Sequence, residues 1–297
     1  MYQAGLILEG GAMKGIYTAG VLDFFLEQGI TFSSAYGVSA GVLNLCSYLS
    51  GQKERSRRLF TNYLGCRKYC SMYNLITTGN LFGTRMCYDL IPNYLDPFDH
   101  ETFEQYQGKA YAVVTNIRTG EAEYMQLKDM RRQMNVIQAS SSMPLVSRNV
   151  KIGKELYLDG GISDSIPIGR SIRDGNQKNV IIMTKEEGFR RDPSSSLGLL
   201  RLRYAAYPRV YELMRERHLR YNAVQDYICR LEAEGKVFVI RPEKKSAVGR
   251  IEKDVSRLKE LYQEGYEDGR QCCQDLRKYL SSDQNISYNN RRNSSSV

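Results

Sequence analysis

The pentapeptide Gly37-Val38-Ser39-Ala40-Gly41 constrains this chain more than any other feature. It joins the apolar run Phe32–Val38, read as a short strand, to the mostly apolar Ala40–Leu49, read as a buried helix. A serine at such a corner needs small neighbours, because the turn is tight and the side chain projects from it. The GxSxG spacing alone arises by chance ~0.1 times in a chain of this length, so its context carries the weight. A second strand–turn–helix precedes it. Residues 5–9 are an apolar run, followed by Gly10-Gly11-Ala12-Met13-Lys14-Gly15. Ile16, Ala19, Val21, Leu22, Phe25 and Leu26 then fall at helical spacing up to Gly29.

The glycine-rich turn is not a GxxxxGK[ST] phosphate loop, because Ile16 and Tyr17 follow Gly15. Nor is it a dinucleotide fingerprint. Ala12 replaces the central glycine, and the second strand ends at Ser39 instead of a ribose-binding acid. Two readings remain: a turn with no chemistry, or an oxyanion hole built from consecutive backbone N–H groups at a helix start. One such donor is typically worth ~3–4 kcal/mol in a transition state.

A serine nucleophile also needs a base. His100 and His218 are the two histidines, and neither follows a strand as a hydrolase histidine does. Both read as surface residues. A carboxylate is the alternative: residues 156–158 read as a strand running into Asp159-Gly160-Gly161. An ordinary aspartate near pKa 3.9 is a weak base, so this works only in a dry pocket that raises its proton affinity. An Asx-type turn is the competing reading of the same three residues.

The order and spacing of Gly10–Gly15, Gly37–Gly41 and Asp159–Gly161 resemble the patatin-like phospholipases. The stretch from Ala139 to Pro144 shares the resemblance, which covers about residues 4–185. It implies an α/β, three-layer patatin-like fold with a mostly parallel central sheet, and lipid acyl hydrolysis by a Ser-Asp dyad. By resemblance, Ser39 is the nucleophile and Asp159 the base that also activates water. Gly10, Gly11 and Ala12 correspond to the oxyanion hole. Lys14 stands where the family has Arg or Lys, a position suited to steadying the loop or meeting a lipid phosphate, and Gly15, Gly37, Gly41, Gly160 and Gly161 complete the motifs. Ala12 departs from the family's usual third glycine: its N–H serves at negative φ, but a positive φ would strain it. The resemblance implies a lipid ester substrate and no metal or organic cofactor. A non-catalytic lipid- or partner-binding protein on the same scaffold is the alternative, motivated by Ala12 and the C-terminal part.

Strands alternating with helices argue independently for an α/β fold. Residues 53–64 read as a surface helix and 65–108 as irregular. Residues 109–127 read as a hairpin turning at Arg118-Thr119-Gly120, 129–142 as a helix stopped by Pro144, and 180–183 as a buried strand. The expected division is a catalytic domain at 1–186, a mainly helical addition at 187–281 and a disordered tail at 282–297. The addition is similar to one found in a bacterial subgroup of the family. Within it, 210–234 reads as a long helix, 237–240 as a strand, and 251–280 as a charged helix or helix pair interrupted near Gly265 and Gly269.

Forty-two Lys and Arg against 33 Asp and Glu leave a charge of +9. Arg190, Arg191, Arg201, Arg203 and Arg209 are interleaved with Phe189, Leu197, Leu199, Leu200, Leu202, Tyr204 and Tyr207. An anionic bilayer attracts such a segment by ~1 kcal/mol per basic residue near it. An ordered linker with solvated arginines is the other reading. No nucleic-acid-binding signature is present. No apolar run reaches the ~18 residues of a membrane span, and the N-terminus lacks a basic signal-peptide region. The seven cysteines read as reduced thiols without zinc spacing. The expectation is a cytoplasmic protein, peripheral at most to an anionic membrane surface.

Overall fold

Alternation along β1 (Tyr2–Leu8) sets the layers. Ala4, Leu6 and Leu8 enter one hydrophobic core and Ile7 the other. A strand apolar on both faces needs helices on both sides. The computed structural model, which describes residues 1–282, supplies them. Of the tail expected at 282–297, residues 283–297 lie outside the described residues.

A 3-10 turn at Ala12–Gly15 leads from β1 into α1 (Ile16–Glu27), then β2 (Phe32–Val38), α2 (Ala40–Leu49), α3 (Arg55–Thr61) and α4 (Met72–Thr78). A π-helical segment at Met86–Leu95 precedes α5 (His100–Glu104), the hairpin β3 (Lys109–Asn116) and β4 (Ala122–Leu127), and α6 (Met130–Ser140). Then come β5 (Val150–Ile152), β6 (Glu155–Asp159), α7 (Ile168–Arg173), β7 (Asn179–Ile182), α8 (Leu197–Arg203) and α9 (Pro208–Ala233). β8 (Val237–Ile240), α10 (Val255–Gln271) and α11 (Cys273–Ser281) complete the described chain.

The strands form one mixed sheet in the order β5-β6-β3-β2-β1-β7-β8, with β4 also on β3. The five strands from β3 to β8 along this path are parallel, whereas β4 and β6 are antiparallel to β3 and β5 to β6. β8 extends the sheet beside β7, so residues after 187 share the central sheet with those before it. α1, α2 and α10 pack on one face; α9, through Tyr221, Ile228 and Leu231, packs on the other.

Three expectations are corrected. Residues 65–108 hold two helices and a π-helical segment rather than irregular chain. Ser71 and Asp99 cap the two helices through their side chains, and Pro92 sits inside the wider π turn. α3 is no surface helix: Arg55, Ser56, Phe60 and Thr61 are buried, with Arg55 donating to the Asp96 carbonyl. α10 runs unbroken through Gly265 and Gly269: both glycines lie against α1, and at Gly265 a side chain has no room.

Candidate active site

The parallel register places the ends of β1 and β2 side by side, with Leu8 opposite Gly37. The glycine-rich turn and the Ser39 corner therefore emerge together, as expected at the carboxyl end of an α/β sheet. Ser39 has φ 54° and ψ −122°, and α2 begins at the next residue. A Cβ on Gly41 would lie 2.5 Å from the Leu8 carbonyl oxygen, and one on Gly37 2.5 Å from the Val42 Cα. Only glycine fits either side of this strained corner.

Asp159 arrives by the antiparallel part of the sheet. β3 continues past the end of β2: Val113 pairs with Val38 on one side, and Val114 pairs with Asp159 on the other. The carboxylate thus reaches the serine corner across a single strand. Two serines of the 139–144 stretch brace the pair. The Ser39 N–H donates to Ser140 Oγ (3.1 Å), whose hydroxyl donates to the Val113 carbonyl (2.7 Å). The Asp159 N–H donates to the Ser142 carbonyl (2.8 Å).

Asp159 is 1% exposed. Its Oδ1 accepts the Gly161 N–H at 2.7 Å, while Oδ2 has no hydrogen-bond partner among the described residues. Burial pushes its pKa above the ordinary aspartate value; the Ser39 hydroxyl, Arg217, the Gly161 N–H and Arg191 pull it partly back. A buried carboxylate with raised proton affinity, near enough for the Ser39 hydroxyl to act on it, can chemically serve as a base.

Gly10 lies against this corner, its missing Cβ 3.1 Å from the Ser39 Cβ. The backbone N–H groups of Gly10, Gly11 and Ala12 have no acceptor among the described residues, whereas the Met13 N–H donates to the Arg250 carbonyl at 3.4 Å. Ala12 adopts φ 50°, the strained alternative for this position. Ala12→Gly should therefore keep kcat within ~3-fold and leave stability equal or raised by up to about 1 kcal/mol, measured by thermal unfolding. A tenfold loss of kcat would give the alanine methyl a role of its own. Lys14 Nζ donates to the Ser246 carbonyl (3.3 Å), and Gly15 packs its Cα against Ala40 at the start of α2. Gly160 abuts the Val113 carbonyl and Gly161 abuts Arg217.

Neither histidine joins this group: the Nδ1 atoms of His100 and His218 are buried without a hydrogen-bond partner among the described residues. Of the basic segment at 189–209, Arg190 pairs with Asp226 and Arg191 stacks over Tyr221 at 4.3 Å. Leu200 and Tyr204 are buried, while Leu199 and Leu202 are exposed. Several residues near the site carried no sequence signal. Glu9 is fully buried and accepts from the Thr184 N–H and hydroxyl and from the Tyr221 hydroxyl. Arg217 donates through Nε to the Gly161 carbonyl at 2.6 Å. A buried acid immediately after a strand, Glu9, was the one cue available for them.

These features gather a strained serine corner, a buried carboxylate and a glycine-rich turn at one end of an α/β sheet. The family model of patatin-like phospholipases matches residues 6–171, and a domain of unknown function, DUF6363, matches 207–281. The chain belongs to the patatin-like phospholipase family. It is 27% identical over 281 residues to the Escherichia coli (strain K12) protein YjjU, described as uncharacterized, covering 93% of this chain and 78% of that one. It is 25% identical over 201 residues to "Probable lipid hydrolase 463L" of Invertebrate iridescent virus 6, covering 60% and 66%. Among solved structures, VipD from Legionella pneumophila aligns at 14% identity and TM-score 0.45, covering 91% of this chain and 66% of that one. The chain thus spans just under two thirds of the last two proteins. No described helix is long and apolar enough to cross a membrane.

Proposed function

We propose that this protein is a serine lipid acyl hydrolase, of phospholipase, lysophospholipase or esterase type, working through a Ser39-Asp159 dyad. The observation that carries this reading is the buried Asp159 facing the strained Ser39 corner with an unpartnered Oδ2. Family membership and the viral relative's name support lipid hydrolysis in general.

In the reaction, Ser39 Oγ attacks the ester carbonyl and its proton passes to Asp159 Oδ2. The oxyanion is held by N–H groups of Gly10, Gly11 and Ala12. Collapse breaks the ester C–O bond, and the departing alcohol takes the proton from Asp159. Water then repeats the sequence on acyl-Ser39, with Asp159 accepting its proton, releasing a fatty acid and restoring the hydroxyl. Contact with an anionic lipid surface would use α8, where Leu199 and Leu202 are 59% and 80% exposed beside exposed Arg201 and Arg203.

A fluorophosphonate probe followed by peptide mass spectrometry tests the proposal. Ser39 should carry the adduct, Ser39→Ala should abolish it, and Asp159→Asn should slow it by ~100-fold or more. A folded protein that takes no label would move the assignment to lipid binding without hydrolysis.

A further inference from the structure

Five cationic side chains surround the site, and none forms an ion pair with a described residue: Lys14, Lys185, Arg191, Arg217 and Arg250. This contrasts with neighbours such as Arg190 and Arg241, which hold Asp226 and Glu232. Chain contacts bring the five together. Arg217 lies against Gly161, next to Asp159, with Nη2 3.2 Å from where a Gly161 Cβ would be. Arg191 stacks over Tyr221, whose hydroxyl donates to Glu9 at 2.6 Å. Glu9 in turn accepts from Thr184, which packs against Gly11 and precedes Lys185. Arg250 and Ser246 receive the Met13 N–H and the Lys14 ammonium through their carbonyls, fixing their loop over the glycine-rich turn.

The acids within this group are Glu9 and Asp159, so five cationic groups against two carboxylates leave a formal excess of three. Glu9 is already consumed by three hydrogen bonds. Arg191 Nε is buried without a partner, and the guanidinium nitrogens of Arg217 other than Nε make no hydrogen bond among the described residues. Lys14, Lys185, Arg191 and Arg217 are half-buried and Arg250 is exposed beside them; withdrawing cations from water without counter-charge is costly. Burial and the cations Lys14, Arg191 and Arg250 hold Lys185 down at about 8, against the opposing pull of Glu9. Burial, with Arg191 adding to it, lowers Arg217 to about 10. An anion that enters would relieve this repulsion, and arginine forks match phosphate oxygens in particular.

We propose that these side chains form a head-group subsite for a dianionic phosphate monoester, placed next to the scissile acyl ester and read mainly by arginines that lie outside the family-matched segment. The inference rests on the hydrolase reading and narrows its substrate to acyl esters whose alcohol carries a terminal phosphate. Arg191, Arg217 and Arg250 lie beyond residue 171, so this selectivity belongs to the C-terminal part and not to the shared catalytic motifs. A neutral head-group leaves the excess charge unmatched, and a choline-bearing diester adds a cation to it.

The test compares kcat/KM for monoacylglycerol and monoacylglycerol phosphate of the same chain length, in the same preparation, so that the ratio is independent of how much protein is folded. The phosphate ester should be preferred by ~100-fold, a difference of about 2.7 kcal/mol. Arg191→Gln and Arg250→Ala should each cut that ratio by ~10-fold or more. Arg132→Ala, exposed on α6 and away from every surface assigned here, should leave it in place. A ratio near one in the native protein, or one that neither variant alters, overturns the proposal. Equal turnover of both esters, with added inorganic phosphate changing neutral-ester hydrolysis, would mean that the cluster takes free phosphate and would overturn the head-group assignment. If no ester is cleaved and Ser39 takes no label, the hydrolase reading has failed; calorimetry with glycerol phosphate against glycerol then decides the subsite. Glycerol phosphate binding that Arg250→Ala weakens supports it, and no binding overturns it.

Discussion

Asp159→Asn is expected to lower kcat by ~10³–10⁴-fold, equivalent to about 4–5.5 kcal/mol of transition-state stabilisation. Asparagine keeps the shape and can still accept the Gly161 N–H that Oδ1 accepts now. It cannot take the Ser39 proton, so the loss isolates base function from packing. KM should change little, since the substitution keeps the size and shape of the side chain. Ser39→Ala should cost as much, and the double variant no more than either alone, because the two residues act as one unit. The pH profile separates this role from a structural one. Asp159 must be ionised to act, and burial raises its pKa, opposed by Ser39, Arg217, the Gly161 N–H and Arg191. Activity should therefore fall as pH drops through an apparent pKa above the ordinary aspartate value near 3.9. That acid limb should be absent from the residual activity of Asp159→Asn. Turnover within tenfold of native in a folded Asp159→Asn protein would remove Asp159 as the base.

The site was legible to the extent that its parts were local. The Ser39 corner is written into five consecutive residues between a strand and a helix, and the structure places both elements at the predicted bounds. Asp159 was readable as a strand end followed by glycines. Its position beside Ser39 was not, because it depends on β6 pairing antiparallel with the overhang of β3. The 139–144 stretch was visible only as a resemblance, while its physical task, Ser140 and Ser142 bracing the two corners, needs the fold. Of the cationic group only Lys14 and Arg191 stood out; its convergence was illegible, because its members run from position 14 to 250 and meet through β7, α9 and the loop before α10. Short capped helices were missed at 65–108 because scattered glycines and prolines hid the caps Ser71 and Asp99. Gly265 and Gly269 were misread for a related reason. Glycine weakens an isolated helix by ~1 kcal/mol, but it also permits the closest helix contacts, and sequence alone does not say which applies.

Gly265→Val tests which applies, and it should destabilise the protein by about 3 kcal/mol or more. A Cβ at Gly265 would lie 2.1 Å from the Tyr17 carbonyl oxygen, and one at Gly20 2.0 Å from the Tyr262 carbonyl oxygen. Both obstacles are backbone, so no side chain can rotate away; α1 and α10 must separate. Separation would strain two bonds across the crossing, Tyr17 to Asp268 at 2.6 Å and Tyr262 to Asp23 at 2.7 Å. At ~2–4 °C per kcal/mol for a chain of this order, Tm should fall by roughly 6–12 °C. Gly20→Ala and Gly265→Ala should combine less than additively, because whichever opens the crossing makes room for the other. Gly198→Ala on α8, with nothing within 4 Å of the added methyl, should leave Tm unchanged or slightly raised. The crossing also bears on catalysis. α10 follows the loop whose Ser246 and Arg250 carbonyls hold Lys14 and Met13, and α1 follows that same glycine-rich turn. Loosening the helices should therefore lower kcat for neutral and phosphate-bearing esters alike, unlike the selective effect expected of Arg250→Ala. A Gly265→Val protein with native Tm would mean that α10 is not pinned to α1, and that the C-terminal part bears on the glycine-rich turn through the Ser246 and Arg250 contacts alone.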